Sequence, residues 1–265
     1  PRRQRRESSA RNRWFAGSAS AVCVGFPKVR PYFKNGTPLL ITGNPARPAF
    51  ERLYRETQSP HMYDPNMAGS IDQRSREKRL VIIGGAGGAR SLNVNMPRAL
   101  QGVRDQLKGW QIVHQSGEGQ LQETEQRYRQ AGVEALVVTF IDEMASVMFE
   151  SDLVICRAVS TTLAELALAG VPAILVPCRK AAESSQLANA EIYAEGGAAT
   201  IIDETALTGT LENALVDQIK PLITNDSARQ EMAANMRRFA RPDAAARVTD
   251  AILEIVNKAA AQNVA

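Results

Sequence analysis

The chain has 265 residues, of which 44% are hydrophobic and 23% are charged. This composition is that of an ordinary globular protein and excludes an intrinsically disordered one, and the length allows one large domain or two modest ones. The net charge of +4 is exceeded by the arginines of residues 1–13 alone, so the rest of the chain is close to neutral and no nucleic-acid partner is indicated. No apolar run approaches the roughly 20 residues of a membrane-spanning helix.

The first part of the chain, residues 1–45, combines a basic arm with two strand candidates at 21–25 and 39–42. The arm is typical of a solvated tail, with contact to anionic lipid as the alternative. A helix is predicted from about 45 to 56. The polar residues 57–78 are typical of a linker or surface excursion. Because the chain begins with Pro1 and enters structure almost at once, it is expected to be a piece of a longer protein.

From residue 79 onward, apolar strands alternate with helical stretches. Near-continuous apolar strands separated by helices predict buried parallel strands in a doubly wound, Rossmann-like sheet. The predicted fold class is therefore α/β. The tail from 207 to 261 is predicted to be helical, with breaks at Pro221 and Pro242. The predicted strands are 80–83, 111–114, 135–140, 153–156, 173–176 and 199–202, and the helices between them include 89–107, 121–131, 162–169 and 185–195.

A glycine-rich loop, Gly84-Gly-Ala-Gly-Gly-Ala-Arg90, runs from the first of these strands into a helix. Its glycines would let a ligand approach the backbone closely. The loop lacks the third glycine and the downstream acidic residue of a dinucleotide fingerprint, and no Walker lysine follows, so a nicotinamide, flavin or P-loop site is not indicated. A tight turn that only packs helix against strand is the alternative interpretation.

A second loop enters a helix at Ser160-Thr-Thr-Leu-Ala-Glu165. Unpaired N–H groups and the positive end of the helix dipole suit a diphosphate, and the Glu165 carboxylate could accept two hydrogen bonds from a ribose diol. Thr162 and Glu165 also have capping-box spacing, so a purely structural cap is an equal alternative. Two such loops at one sheet edge predict a nucleotide or nucleotide-sugar pocket.

The cysteines and histidines carry weaker signals. Cys23, Cys156 and Cys178 are widely spaced, form no metal-ligand motif, and are expected to be small buried hydrophobes. His114 is expected to be held by the fold at a strand end, with a general base as the alternative, and His61 is expected to be exposed. No Asp-x-Asp motif is present, which argues against a metal that bridges a diphosphate.

An ordered set of motifs covering nearly the whole chain resembles the MurG family of bacterial UDP-N-acetylglucosamine (UDP-GlcNAc) transferases. One motif alone would be weak evidence, whereas the ordered set is highly specific. The motifs are Gly25-Phe-Pro27, Thr42-Gly-Asn-Pro-Ala-Arg47, Gly84-Gly-Ala-Gly-Gly-Ala-Arg90, Leu92-Asn93, His114-Gln-Ser-Gly117, Phe140-Ile-Asp-Glu-Met144, Cys156-Arg157, Thr162 with Glu165, Gly170 with Pro172, Pro177, Gln186 with Asn189-Ala190, and Gly196-Gly-Ala-Ala199.

The resemblance implies a GT-B fold, in which two Rossmann-like domains face a cleft. Residues 1–45 would be the basic arm and the closing segment of an N-terminal acceptor domain, and 46–78 an interdomain linker. Residues 79–240 would bind the UDP-sugar donor, and 241–265 would form a C-terminal helix.

The resemblance also implies a role for each donor-binding residue. Arg47 would approach the donor from the interdomain side, and Ile141 would bond uracil through its backbone. Residues 160–164 would wrap the diphosphate and the nearby sugar. Glu165 would accept hydrogen bonds from the ribose hydroxyls, and Gln186 would contact the N-acetylglucosamine. The implied donor-binding residues are Arg47, Ala86, Ile141, Ser160, Thr161, Thr162, Leu163, Ala164, Glu165 and Gln186.

The chain departs from the family pattern at three places. Ala86 and Gly87 stand where the family usually has serine and glutamine, so one hydroxyl contact to the donor is missing. Ser185 precedes Gln186 where histidine is frequent. The glycine-rich loop with histidine that opens the family's N-terminal domain is absent, with most of that domain. The catalytic base and the lipid-facing patch are expected there, so no catalytic residue is assigned within this chain.

The implied reaction is an inverting transfer of N-acetylglucosamine from UDP-GlcNAc to the muramyl 4-hydroxyl of undecaprenyl-pyrophosphoryl-MurNAc-pentapeptide, which converts lipid I to lipid II in peptidoglycan synthesis. The expected partners are UDP-GlcNAc and this lipid-linked acceptor, without a cofactor or metal. The expected location is the cytoplasmic face of the bacterial inner membrane, as a peripheral protein. The alternatives are another GT-B enzyme or an epimerase that uses a UDP-sugar, and a non-catalytic UDP-GlcNAc-binding module.

Overall fold

The computed structural model describes residues 16–33, 36–58, 77–178 and 185–262. Its strands are β1 (Val22–Val24), β2 (Leu39–Ile41), β3 (Lys78–Ile83), β4 (Trp110–Gln115), β5 (Leu136–Val138), β6 (Leu153–Cys156), β7 (Ala173–Leu175) and β8 (Ala199–Ile201). Its α-helices are α1 (Pro48–Gln58), α2 (Arg90–Gly102), α3 (Leu121–Ala131), α4 (Met144–Phe149), α5 (Ser160–Ala169), α6 (Ser185–Glu195), α7 (Leu211–Thr224), α8 (Asp226–Arg237) and α9 (Ala244–Gln262). Short 3-10 helices span Pro27–Tyr32 and Arg104–Leu107.

Strands β3 to β8 form one parallel sheet in the order β5-β4-β3-β6-β7-β8. Leu80 of β3 lies beside Ile112 of β4 on one side and beside Leu153 of β6 on the other. The chain moves outward from β3 to β5, returns to β6, and then moves outward to β8. In such a doubly wound sheet, the reversal between β3 and β6 opens a crevice at the carboxyl ends of the strands. The predicted α/β fold and the six predicted strands of this sheet are confirmed.

Side chains of the central strands alternate between two apolar layers. Leu80 and Ile82 face the layer that α2, α3 and α7 cover. Val81 and Ile83 face the layer that α4, α5 and α6 cover. Because both faces of the sheet are covered, its central strands contain continuous apolar runs, as in LVIC of β6 and AIL of β7.

Strands β1 and β2 form a separate two-stranded parallel sheet. The expectation that Cys23 is buried is wrong: it is exposed on β1, beside Leu40, because this small sheet leaves one face to solvent. Cys156 is buried as expected, and Cys178 is half-buried. Phe26, just after β1, anchors this part of the chain by packing edge-on against Tyr193, with ring centroids 5.7 Å apart.

The predicted break at Pro221 is wrong, whereas the one at Pro242 is confirmed. Pro221 lies inside α7, where it removes one backbone donor. The buried side chains of Leu222 and Ile223 hold the last turn against the core, so the helix continues. The break comes instead at Asn225, whose side chain accepts a hydrogen bond from the Ala228 N–H at 3.0 Å and begins α8.

Several other boundaries differ from the prediction. The helix predicted to start at about 45 begins at Pro48, and the helix predicted to end at 107 ends at Gly102 and is followed by a 3-10 turn. Strand β3 begins at Lys78, one residue inside the predicted linker. Helix α4 was not predicted, since it is only one and a half turns long.

Residues 1–15, His61 and residues 59–76 of the predicted excursion lie outside the described residues. No helix within the described ranges is long and apolar enough to cross a bilayer.

Candidate functional site

A cavity of about 770 Å³ opens at the carboxyl ends of β3 and β6, where the direction of winding reverses. This is the position at which doubly wound sheets bind their ligands. Both predicted loops contribute to its wall. The described lining residues are Ile83, Gly84, Gly85, Gly87, Gly88, Ala89, Arg90, Ser91, Gln120, Cys156, Arg157, Val159, Ser160, Thr162, Cys178, Ser185, Gln186 and Asn189.

The electrostatic character of this cavity favours an anion. Helices α2 and α5 begin at its wall, with Arg90 and Ser160 as their first residues. Each helix start presents backbone N–H groups and the positive end of a dipole. Among the described lining residues, two are arginines and none is acidic. The site therefore suits a phosphate or a diphosphate.

The glycine-rich loop has a packed side and an open side. A Cβ at Gly84 would lie 2.7 Å from the Ala89 nitrogen, and one at Gly88 would overlap the Ser116 carbonyl oxygen. Gly85 and Gly87, in contrast, would place a Cβ in space that is free of atoms to 4 Å. One side of the loop therefore packs against the next loop, and the other leaves its backbone accessible from the cavity. That a ligand approaches the accessible side stays a prediction.

The capping-box interpretation of Thr162 and Glu165 is wrong. Helix α5 begins at Ser160, two residues before Thr162, so Thr162 already lies in the first turn. The buried Glu165 carboxylate instead receives two hydrogen bonds from Arg47, from Nε to Oε1 at 2.6 Å and from Nη2 to Oε2 at 2.9 Å. Hydrogen bonding to Glu165 raises the pKa of Arg47. Arg47 precedes α1, so this ion pair connects α1 to α5.

Three of the ten residues implied by the resemblance, Ser160, Thr162 and Gln186, line the cavity. Gln186 is buried, and its Oε1 accepts a hydrogen bond from the Cys178 N–H at 3.0 Å. The other seven are not among the lining residues. Ile141 and Leu163 belong to the apolar core, so only their backbone atoms could serve a ligand. The remaining five residues that do not line the cavity are Arg47, Ala86, Thr161, Ala164 and Glu165.

Sequence reasoning missed a cluster of charged and polar groups at the cavity wall. Arg157 Nη1 donates to Glu204 Oε1 at 2.7 Å, and its Nη2 donates to Ser91 Oγ at 2.7 Å. Ser91 Oγ donates in turn to Glu204 Oε1 at 2.9 Å. The available signal was the position of Arg157 directly after a fully apolar strand, where an arginine needs a partner to be buried.

His114 is fully buried and does not line the cavity. Its Nδ1 lies 2.8 Å from the Tyr128 hydroxyl and its Nε2 lies 3.0 Å from Asn93 Oδ1. Burial lowers the pKa of His114 to about 3, so the ring is neutral near pH 7. The expectation that the fold holds this histidine is confirmed. It joins β4 to α2 and α3 and has no access to a ligand in the cavity.

Two curated relatives of this chain carry the same name. A curated protein of Stutzerimonas stutzeri (strain A1501) is 37% identical over 246 residues, which is 93% of this chain and 63% of the relative. A Pseudomonas putida (strain W619) protein is 34% identical over 254 residues, which is 96% of this chain and 65% of the relative. Both are named UDP-N-acetylglucosamine–N-acetylmuramyl-(pentapeptide) pyrophosphoryl-undecaprenol N-acetylglucosamine transferase. The chain thus spans less than two thirds of these relatives.

Solved structures agree with this comparison. The crystal structure of Acinetobacter baumannii MurG superposes with a TM-score of 0.70 and 30% identity, over 94% of this chain and 64% of that one. A putative UDP-N-acetylglucosamine 2-epimerase from Listeria monocytogenes has a TM-score of 0.62 at 14% identity, over 92% of this chain and 61% of that one, and therefore shares the fold alone. The expected α/β, GT-B type fold is confirmed.

A family model covers most of the region that forms the site. The model described as the glycosyltransferase family 28 C-terminal domain matches residues 79–248. This range contains the whole doubly wound sheet apart from Lys78, and every described residue that lines the cavity. The chain belongs to glycosyltransferase family 28.

Proposed function

We propose that this chain is the donor-binding portion of a UDP-GlcNAc transferase that forms lipid II from lipid I. The observation that carries the proposal is the cavity at the point of reversal, where α2 and α5 begin and no described lining residue is acidic. The names of the relatives support both the donor and the acceptor. Because the chain spans less than two thirds of these relatives, the groups that bind the acceptor and remove its proton lie outside it in this proposal.

The diphosphate of the donor would lie against the starts of α2 and α5. The open side of the glycine-rich loop leaves room for phosphate oxygens at Gly85 and Gly87. Ser160 and Thr162 would donate hydroxyl hydrogen bonds from the start of α5. Arg90, the first residue of α2, would add a positive charge near the leaving group.

The remaining groups of the donor would be bound around this point. Gln186 would contact the N-acetylglucosamine, and the Ile141 backbone would contact uracil. The Glu165 carboxylate would accept hydrogen bonds from the ribose hydroxyls. Arg47 already bonds both carboxylate oxygens, so these hydroxyls would use the remaining lone pairs or take the place of the guanidinium.

In the proposed reaction, the muramyl 4-hydroxyl oxygen attacks the anomeric carbon of N-acetylglucosamine. The bond from that carbon to the β-phosphate oxygen breaks, UDP leaves, and the hydroxyl proton passes to a base outside this chain. Negative charge grows on the diphosphate as the bond breaks. Helix starts that already point at it stabilise this charge without reorganising. The acceptor carries an undecaprenyl chain, so we place the reaction at the cytoplasmic membrane surface, with the protein bound peripherally.

Calorimetric titration of the chain with UDP-GlcNAc tests the proposal, with UDP-glucose and ADP as controls. We expect saturable binding that prefers UDP-GlcNAc over both. A folded chain that binds none of the three would contradict the proposal. Prolonged incubation with UDP-GlcNAc adds a second readout, because formation of the 2-epimer would favour the epimerase alternative.

Glu165 gives a sharper test of the assigned site. We expect Glu165→Ala to weaken UDP-GlcNAc binding by about 1–3 kcal/mol, the range for losing a charged hydrogen-bond partner. The matched control is Glu150→Ala, which removes an exposed carboxylate bonded to Arg79 at 2.6 Å. Unchanged affinity in Glu165→Ala, together with a lower melting temperature, would reduce Glu165 to a structural partner of Arg47.

A further inference from the structure

One guanidinium holds the walls of the cavity together. Arg157 follows β6, and its Nη1 donates to the Val176 carbonyl oxygen at 2.8 Å and to Glu204 Oε1 at 2.7 Å. A longer bond of 3.3 Å reaches the Pro177 carbonyl oxygen. Its Nη2 donates to Ser91 Oγ at 2.7 Å. The groups that meet here come from α2, the end of β6, the segment after β7 and the segment after β8.

These bonds connect parts of the wall that the sheet does not connect. Strands β3 and β6 are paired as far as Ile83 and Cys156, and the chain beyond those residues has left the sheet. Ser91 is the second residue of α2, so its bond to Arg157 fixes the start of that helix against the end of β6. The direct bond from Ser91 to Glu204 closes a ring of three side chains. The relative position of these walls therefore depends on Arg157.

The charge of Arg157 is compensated inside the protein. The side chains of Arg157 and Glu204 are only 15% and 8% exposed, and they form an ion pair. Arg90, the other arginine at the wall, is exposed. Arg157 is thus suited to fixing the relative positions of the wall segments, whereas the accessible positive charge of the wall comes from Arg90 and the helix starts.

We propose that Arg157 is a positioning residue that sets the start of α2 against the end of β6 at the spacing a diphosphate requires. The inference rests on the proposed function, since it takes the diphosphate of a nucleotide sugar as the ligand. A planar guanidinium is needed for this role because it donates in several fixed directions at once. A lysine ammonium keeps the charge but cannot span Ser91, Glu204 and the Val176 carbonyl together.

The test is calorimetric binding of UDP and of inorganic pyrophosphate to the wild-type chain and to Arg157→Lys. We expect both ligands to bind about tenfold more weakly to the variant, as for the loss of hydrogen bonds to a charged group. Arg79→Lys is the matched control, because Arg79 forms its ion pair with Glu150 at the opposite end of β3. It is expected to bind both ligands like the wild type. Circular dichroism and melting temperature establish that each variant is folded.

A second pair of variants separates the effect of the bonds that position α2 from the effect of the charge on Arg157. Ser91→Ala removes only the side-chain bonds that join α2 to Arg157 and Glu204, and we expect its effect to be largely absent in the Arg157→Lys background. Glu204→Gln keeps an acceptor but removes the charge that compensates Arg157. Tighter pyrophosphate binding by this variant that disappears in the Arg157→Lys background would mean that Arg157 contacts the diphosphate directly, and would overturn the positioning role.

The two proposals fail in different ways. If the wild type binds UDP and Arg157→Lys binds it equally well, the positioning role is overturned and the proposed function stands. A lower melting temperature of Arg157→Lys with unchanged affinity likewise overturns only the positioning role. If the folded wild type binds neither UDP nor UDP-GlcNAc, the proposed function is overturned, and the positioning role falls with it.

Discussion

Replacing Gly88 with alanine is expected to lower the free energy of unfolding by about 3 kcal/mol, from strain at positive φ together with overpacking. Gly88 has a φ of +72°, which side chains rarely adopt. An added Cβ would also overlap the Ser116 carbonyl oxygen and Gln120 Nε2. The backbone oxygen cannot move aside, because Ser116 is itself bonded to β5 through its N–H at 2.9 Å. Urea denaturation followed by circular dichroism measures the loss.

Gly87→Ala is the matched control, one residue away in the same loop. Gly87 is not held at positive φ, and a Cβ there would meet no atom within 4 Å. We expect this variant to unfold at the wild-type urea concentration but to bind UDP more weakly, because the methyl group enters the space assigned to phosphate. Equal destabilisation of the two variants would contradict the division of the loop into packed and open sides.

The second large effect is a pH dependence of stability that originates at His114. Burial lowers the pKa of this histidine to about 3 in the folded state, against about 6.5 when unfolded. Between these values the unfolded chain binds a proton that the folded chain does not, so stability is lost as the pH falls. The stabilisation is fully present above pH 6.5 and decreases by at most about 1.4 kcal/mol per pH unit below it.

Comparing the free energy of unfolding at pH 7 and pH 4.5 in wild type and His114→Gln isolates this contribution. Glutamine does not titrate and can still bond to Asn93 or Tyr128, the partners of His114. We expect the wild type to lose about 2–3 kcal/mol more than the variant between the two pH values. Parallel pH profiles would show that His114 is not the source.

The sequence was sufficient to predict the doubly wound sheet, because its signal is local and repeated. Each central strand is a short apolar run bounded by polar turns. Helix α3 was predicted with the bounds that it has in the structure, and α6 with the end that it has at Glu195. The α3 boundary is fixed by Gly132, which ends the helix in a left-handed conformation. Pattern reasoning works where a boundary depends on a few adjacent residues.

The site was harder to predict because its key contacts are distant in sequence. Glu165 and Thr162 have the spacing of a local cap, and nothing nearby reveals that Arg47, 118 residues earlier, bonds the carboxylate. The partner of Arg157 lies 47 residues later, after two further strands. The prediction at Pro221 failed for a related reason, since burial of the next two residues outweighs a local helix breaker. Tertiary contacts decided each of these cases.

The two sides of the glycine-rich loop also differ in how freely they can evolve. At Gly88 and Gly117 the backbones of two loops touch, so any side chain at either position would disrupt both loops at once. These two positions are therefore expected to tolerate no residue other than glycine. Ala86 and Gly87 are exposed, and these are the residues at which the resemblance implies a departure from the serine and glutamine of the family. A lineage can therefore change what this loop offers to a ligand through substitutions that the fold does not oppose.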